Sequence, residues 1–285
     1  MYRLREPAHE LRPYIENYWS VSHVPGEEVD LRVDAFVDAR ADLVFNMGAP
    51  YRREIIGGET VEISTSSLDA QRLVPIRIEQ RGAVTITGVR FRLGGLAPFT
   101  RARLDRWSGL TPPPRDVWGA EALDLEASLR ASHDLASAGR FLDEFFASRL
   151  RLDSAQAAFE AALTALVEAS GRAPLGELAD TAGVSPRQVE RLFARGLGFP
   201  PSTVGRVVRF QTALRRLMDD PGVTLGDVAA DAGYYDQAHF IRDFRLFSGG
   251  VPRGYRGYYP EEGPSDFAPN VVVFVQDESA RLGRH

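Results

Sequence analysis

The sequence predicts a chain of mixed α and β class, in which a β-rich N-terminal part precedes an all-α part with two helix-turn-helix units. Three observations predict this order. Short β-type runs bounded by turn formers fill residues 29–93, prolines interrupt the chain at 111–119, and helical periodicity then continues to residue 259. A chain of 285 residues is also long enough for two domains.

The N-terminal part has the pattern of several short strands. Its β-type runs are VDLRVDAFV, ADLVFNMG, REIIGG, TVEIS, RLVPIRIEQ and AVTITGVRFRLGG. Such spacing is typical of an antiparallel sheet or a small barrel. The segment TPPPRDVWG at 111–119 follows, and we expect its three prolines to interrupt any regular element.

Helical spacing of apolar residues marks the next stretch, through ALDLEASLRAS, AGRFLDEFFASRLRL and SAQAAFEAALTALVEAS. The second of these carries a broad apolar stripe, formed by Phe141, Leu142, Phe145, Phe146, Leu150 and Leu152. Such a stripe must be buried, either against the sheet or against a second copy of the chain. We therefore assign 121–152 to a helical connector or to dimerisation helices.

The helical pattern beyond residue 174 occurs twice. LGELADTAGVSPRQVERLF at 175–193 aligns with LGDVAADAGYYDQAHFIRDF at 225–244, fifty residues later. One extra residue after the glycine of the second copy brings both Arg-x-Phe motifs into line. The closing GFPP at 198–201 likewise corresponds to GGVP at 249–252. The chain therefore contains an internal duplication.

Each copy has the pattern of a helix-turn-helix. A short helix with small residues ends at a glycine, Gly183 or Gly233, which supplies a positive φ. Ser185 can cap the next helix of the first copy, with Pro186 at its first position. The second helix of each copy is apolar on one face and polar on the other, which is typical of a recognition helix.

Ten residues on or beside the polar faces are candidate DNA contacts: Arg187, Gln188, Glu190, Arg191 and Arg195 in the first copy, and Gln237, Ala238, His239, Arg242 and Arg245 in the second. Arg191 and Arg242 lead this set, as donors to a base edge or a phosphate; the alternative is a structural salt bridge. Gln237 can bond adenine, and the methyl group of Ala238 can touch thymine. His239 fits either a phosphate contact or helix packing.

The stretch PSTVGRVVRFQTALRRLMDD at 201–220 predicts about five turns of continuous helix between the two copies. A helix of that length would fix their spacing. Two recognition helices held roughly 34 Å apart would meet successive major grooves on one face of a duplex.

The segment from about 155 to 259 resembles the AraC/XylS family of bacterial transcription regulators. Besides the two Arg-x-Phe motifs, the resemblance rests on A-x-x-A-G-V-S at 179–185, R-F-Q-T-A at 209–213 and G-G-V-P-R-G-Y-R at 249–256. It implies a DNA-binding domain of seven helices, with two helix-turn-helix units joined by a long helix. Relatives often place an aromatic residue where Val204 stands, so we expect different packing there.

The N-terminal region has a looser resemblance, in ADLVFNMG and GVRFRLGG, to the sensing domains that precede this module in relatives. Such domains are often cupin-like barrels that bind small molecules or dimerise. The resemblance implies a sensing or dimerisation domain at 1–120 and a double helix-turn-helix domain at 153–259. In the tail, 260–285, an acidic connector precedes VVVFVQD, and we expect a strand at 271–276 to dock on an edge of the N-terminal sheet.

Composition excludes several classes of function. Without cysteine, the chain has no disulfide, thiolate metal site or cysteine nucleophile. Its five histidines lack metal-binding spacing, so we expect no metal, no cofactor and no enzymatic activity. No apolar run approaches the roughly 18 residues that span a bilayer, and the N-terminus lacks an apolar signal core, so we expect a cytoplasmic protein.

The net charge of −5 is unevenly distributed. Residues 171–259 hold 12 Arg against 9 Asp and Glu, a balance of +3, and the remainder is −8. We expect sequence-specific binding of double-stranded DNA and regulation of transcription, by a monomer or homodimer, with a small-molecule effector and RNA polymerase as further partners. The alternative is a small-molecule-binding, cupin-like protein whose helical domain is an interaction module without DNA affinity.

Overall fold

The computed structural model describes residues 2–22, 29–255 and 271–276. The strands in this part of the chain are β1 (Tyr2–Arg5), β2 (Ile15–Ser22), β3 (Val29–Ala35), β4 (Asp42–Asn46), β5 (Tyr51–Ile55), β6 (Thr60–Ile63), β7 (Ser67–Asp69), β8 (Ile76–Gly82), β9 (Thr85–Phe91) and β10 (Val271–Gln276). The α-helices are α1 (Pro114–Trp118), α2 (Ala120–Arg130), α3 (Leu135–Ala147), α4 (Ser154–Glu168), α5 (Leu175–Ala182), α6 (Pro186–Gly196), α7 (Pro201–Asp219), α8 (Leu225–Asp231) and α9 (Gln237–Ser248).

The described strands form two five-stranded antiparallel sheets. Sheet A has the order β1-β2-β9-β4-β7, and sheet B has the order β10-β3-β8-β5-β6. The prediction of a mixed class, with a β-rich N-terminal region and a helical C-terminal domain, is therefore confirmed. The described strands do not close into a barrel, so the cupin-like barrel is not confirmed.

Strand β2 was missed by the sequence analysis, although IENYWSVS is rich in β-forming residues. Its pairing with β9 shifts register between Ile15 and Asn17. The inward side chains are consequently Ile15 and Tyr18, both fully buried, three positions apart. A bulge of this kind removes the period-two alternation by which a strand is recognised.

The proline segment at 111–119 gives a second correction, because the whole of α1 lies within it. Pro114 takes the first helical position, where the absent N–H has no intrahelical partner to lose. Two of the three prolines precede the helix, and only the third enters it.

Helices α2 and α3 cover sheet A. Leu142 and Phe146 of α3 are buried with Tyr18, Phe45 and Phe91 of the sheet. The carboxylate of Asp143 fixes the orientation of α3, since it accepts hydrogen bonds from Arg5, the Tyr18 hydroxyl and the Ala8 N–H at 2.8–3.0 Å. The apolar stripe predicted in this region is only partly buried, as Phe141 is 41% and Leu152 63% exposed.

Strand β10 lies at the outer edge of sheet B. It pairs with β3, with Val271 opposite Ala35 and Gln276 opposite Asp30. Its docking in solution stays a prediction.

Helix α7 is shared by the cores of both helix-turn-helix units. Val204, near its start, is buried in the first core with Phe193, and Phe210 is buried in the second core with Phe244. At 19 residues the helix is about 28 Å long. No helix within the described residues has the length and apolar character to cross a bilayer.

The N-terminal domain completes the core of the second unit. Phe36 and Val37, which follow β3, are buried among side chains of α7, α8 and α9. The Val37 N–H donates to the Phe247 carbonyl at 3.0 Å, and the Gln211 side chain donates to the Val37 carbonyl. The Phe36 ring meets the Tyr255 ring edge to face, with centroids 5.1 Å apart.

The first unit also rests on the N-terminal domain. A Cβ on Gly94 would lie 2.7 Å from a methyl carbon of Leu163 in α4. Beyond the end of α6, a Cβ on Gly198 would lie 2.2 Å from the Ser108 hydroxyl oxygen. Contacts this close leave no space between the first unit and the N-terminal domain at these two points.

Helix α7 also crosses directly over the turn that follows α4. A Cβ on Gly205 would lie 2.5 Å from the carbonyl oxygen of Gly171, and Arg209 donates to the same oxygen at 2.7 Å. This approach positions the shared helix against the first unit.

We predict that Gly205→Ala lowers the free energy of unfolding by about 1–3 kcal/mol, because the new methyl group meets backbone that must move. The matched control is Gly176→Ala in α5, where a Cβ meets nothing within 4 Å. The control should be stabilised by a few tenths to about 1 kcal/mol. Urea unfolding followed by circular dichroism measures both, and equal stability of the two variants would contradict the close approach.

Candidate nucleic-acid interface

The turn before α6 is fixed by local hydrogen bonds. Gly183 adopts the left-handed conformation, with φ of 64°, and ends α5. The Ser185 hydroxyl accepts from the Gln188 N–H at 3.3 Å, and the Gln188 side-chain oxygen accepts from the Ser185 N–H at 2.8 Å. This reciprocal cap sets where α6 begins. It also occupies the side-chain oxygen of Gln188, leaving its amide nitrogen for an outside partner.

Helix α6 presents its polar face to solvent. Val189 and Phe193 are fully buried on the opposite face. The exposed candidates are Arg187, Gln188, Glu190, Arg191 and Arg195. Within the described residues, none of these three arginines forms an ion pair. An open pocket with a volume of about 470 Å³ lies at the start of the helix. It is lined by Ser185, Arg187, Gln188, Glu190 and Arg191.

The turn before α9 uses a different cap for the same purpose. Gly233 supplies the positive φ, and the Asp236 carboxylate accepts from the His239 N–H at 2.6 Å. Tyr234 is buried against the Phe240 ring, at a centroid distance of 5.4 Å. Tyr235, beside it, is 92% exposed, so its ring lies in solvent at the start of the recognition helix.

Helix α9 likewise separates an apolar and a polar face. Phe240, Phe244 and Phe247 are buried. The exposed candidates are Gln237, Ala238, Arg242 and Arg245. Across the described part of the chain, Arg242 has no ion-pair partner, so the structural salt bridge considered as its alternative role is not seen.

His239 differs from the other candidates because it is half-buried. Its ring meets the Tyr234 ring edge to face at 5.1 Å, and its Nε2 lies 3.9 Å from a carboxylate oxygen of Asp243. The imidazole therefore contributes to packing at the side of the helix while one edge remains accessible.

An ion pair that was not predicted from the sequence positions α9. Asp243 is buried on the inner face of α9, and Arg206 of α7 donates to it at 2.7 Å. This hydrogen bond is the main reason why the pKa of Arg206 is raised. The only sequence signal was an aspartate on the apolar face of a helix, four residues before Phe247 and four after His239. A buried carboxylate needs a partner, and the structure supplies it from the shared helix.

The two polar faces together carry five arginines, Arg187, Arg191, Arg195, Arg242 and Arg245, against one acid, Glu190. The starts of α6 and α9 add the positive ends of two helix dipoles. Such a surface attracts a polyanion. Among residues 2–22, 29–255 and 271–276, no group of three His, Asp or Glu side chains is arranged to hold a metal ion.

Two parts of the chain match known families. Residues 178–258 match the family described as a helix-turn-helix domain. Residues 3–111 match a family described as a domain of unknown function, DUF6597. The boundary between the two matches falls in the region of α1 to α4.

The C-terminal match is also found in a curated protein. The HTH-type transcriptional regulator GbdR of Pseudomonas aeruginosa is 35% identical over 100 residues, which cover 34% of this chain and 27% of that protein. The chain thus spans about a quarter of the length of the curated relatives it matches.

Solved structures give partial likenesses. ToxT from Vibrio cholerae is 8% identical, with a TM-score of 0.46 over 89% of this chain and 97% of that chain. A transcriptional regulator of AraC type from Chromobacterium violaceum is 26% identical, with a TM-score of 0.35 over 38% of this chain and 96% of that chain.

The duplicated unit with its long shared helix, and the helix-turn-helix match that extends over both copies, give one conclusion about identity. The helix-turn-helix domain at residues 178–258 is of the AraC/XylS type.

Proposed function

We propose that the protein binds a specific sequence of double-stranded DNA through α6 and α9, and thereby regulates transcription. One observation carries the proposal. Each of the two helices turns an arginine-bearing polar face to solvent, and both are packed on the same helix, α7.

The spacing supports simultaneous contact by both helices. The shared helix is about 28 Å long, which is comparable to the roughly 34 Å that separates successive major grooves on one face of B-form DNA. A single chain with two such helices can contact two half-sites. Many helix-turn-helix proteins need a dimer for the same geometry.

The side chains suit both parts of DNA recognition. Arg191 and Arg242 can form charged hydrogen bonds to guanine edges or phosphates, and Gln237 can bond adenine. The exposed methyl group of Ala238 can contact thymine. The hydroxyl of Tyr235 reaches solvent beside the start of α9, where a phosphate would bind.

The N-terminal domain has the position of a regulatory domain, because it contacts both units. We propose that it responds to a small-molecule effector or to dimerisation, and passes the change on through the contacts of Val37 with α7 and α9. RNA polymerase as a partner, a monomeric or homodimeric state, and a cytoplasmic location belong to the same proposal.

Selection of bound duplexes from a random DNA pool, with the full chain at moderate salt, tests the proposal directly. We expect a motif with two conserved blocks about one helical turn apart. The control is the double variant Arg191→Ala with Arg242→Ala, which should enrich no motif. Failure of the parent chain to enrich any motif would contradict DNA reading, and would favour the alternative of a small-molecule-binding protein with a helical interaction module.

We predict that Arg242→Ala weakens binding to the selected duplex by about 1–3 kcal/mol if the guanidinium reads a base. Fluorescence anisotropy at several salt concentrations measures the change, and the loss should be smaller on duplexes altered at the contacted base pair. Arg140→Ala is the control, since Arg140 is exposed on α3, outside both recognition helices. A uniform loss on all sequences would assign Arg242 to phosphate, and an unchanged affinity would remove it from the interface.

A further inference from the structure

A cavity of about 170 Å³ lies where the N-terminal domain meets the first helix-turn-helix unit. Three parts of the chain line it: the N-terminal domain at 97–102, the start of α4 with the residues before it, and the second half of α6. The last of these is a recognition helix. Whatever occupies the cavity therefore touches both the N-terminal domain and one of the two proposed DNA-reading helices.

The lining combines apolar residues, of which Pro98 and Phe159 are buried, with arginines that are exposed to solvent. Ala97, Pro98, Phe159 and Leu192 supply apolar surface. The charged lining residues are Arg101, Arg151, Arg195 and Asp153. The three arginines come from different parts of the chain, so only the fold brings them together.

The three guanidinium groups are not neutralised by neighbouring acids. In the part of the chain that the structure describes, Arg101, Arg151 and Arg195 form no ion pair. Asp153 is the one acid in the lining, and its carboxylate caps α4 by accepting from the Gln156 N–H at 2.8 Å. An excess of positive charge at a partly enclosed site attracts an anion, and the guanidinium fork matches a carboxylate in particular.

The volume limits the size of the ligand. A cavity of roughly 150 Å³ holds a benzene molecule, so this one has room for an apolar body of that size with the charged group at the rim. We propose that the cavity binds a small organic carboxylate whose apolar body is about the size of a benzene ring.

The site also gives the ligand a means of acting on α6. Gly196 packs so closely on Phe159 that a Cβ there would lie 2.8 Å from the ring, and the Arg151 N–H donates to the Pro98 carbonyl at 3.1 Å. A carboxylate held by Arg101 and Arg195 would therefore join the N-terminal domain to α6. It would also withdraw Arg195 from a DNA phosphate, so we expect the ligand to weaken duplex binding several-fold. This last step rests on the proposed function; binding of the ligand does not.

Calorimetric titration of the full chain with benzoate, in the absence of DNA, tests the site. We expect a dissociation constant on the order of 1 mM or tighter, which is reasonable for a ligand of this size. Benzamide, the neutral analogue, should bind at least about tenfold more weakly, because it lacks the charge that the arginines recognise.

Variants distinguish binding of benzoate in the cavity from its nonspecific attraction to positive charge on the surface. Arg101→Gln and Arg151→Gln should each weaken benzoate binding about tenfold, and Ala155→Leu should block it by filling the cavity. Arg140→Gln, at an exposed arginine of α3, is the matched control and should bind as the parent does. An unchanged thermal unfolding midpoint shows that each variant is folded.

Three results would overturn the proposal: no saturable binding of benzoate, equal binding of benzoate and benzamide, or binding unaffected by both arginine variants. If Arg101→Gln weakened duplex binding while benzoate did not bind at all, the cluster would belong to the DNA interface instead. Since the titration contains no DNA, a failure here leaves the proposed DNA reading untouched, and the reverse also holds.

Discussion

The burial of Phe36 and Val37 is the contact on which the arrangement of the molecule depends. A pair of short helices buries too little apolar surface to be stable alone, and here the N-terminal domain supplies part of the second core. The next residue, Asp38, is buried and paired with Arg90 of sheet A. Burial opposes the ionisation of Asp38, but Arg90 and Arg40 outweigh it and keep the pKa of that carboxyl below its usual value. One short segment is thus held by the sheet on one side and by the second unit on the other.

This contact, together with the contacts between the first unit and the N-terminal domain, holds α6 and α9 in one rigid arrangement. Helix α7 alone would set their separation but would leave each unit free to tilt at its end. The close approach of Gly205 to Gly171 removes that freedom in the first unit, and the pair of Arg206 with Asp243 removes it in the second. Since packed interfaces do not deform continuously, a small displacement of the N-terminal domain would move both helix-turn-helix units.

The recognition helices could be predicted from the sequence because their determinants are local. A glycine, a capping side chain and a periodicity of 3.6 residues define each unit, and the same periodicity places Arg191 and Arg242 outward. Other features depend on distant parts of the chain. Strand β2 was hidden by its bulge, and nothing local pairs Arg206 with Asp243. The alternation of apolar and polar residues in β3 shows that Phe36 and Val37 follow a strand, but it does not show that another domain covers them.

The absence of cysteine in the sequence permits a direct test of the central claim, that the N-terminal domain holds the two units in one fixed arrangement. Spin labels at Glu177→Cys in α5 and Ala230→Cys in α8, both exposed, report the distance between the units by double electron–electron resonance. We predict one narrow distance distribution in the parent chain, which broadens in Phe36→Ala, because removing a buried phenyl group costs about 3–5 kcal/mol of packing. A broad distribution in the parent chain, or a narrow one unchanged by Phe36→Ala, would contradict the account.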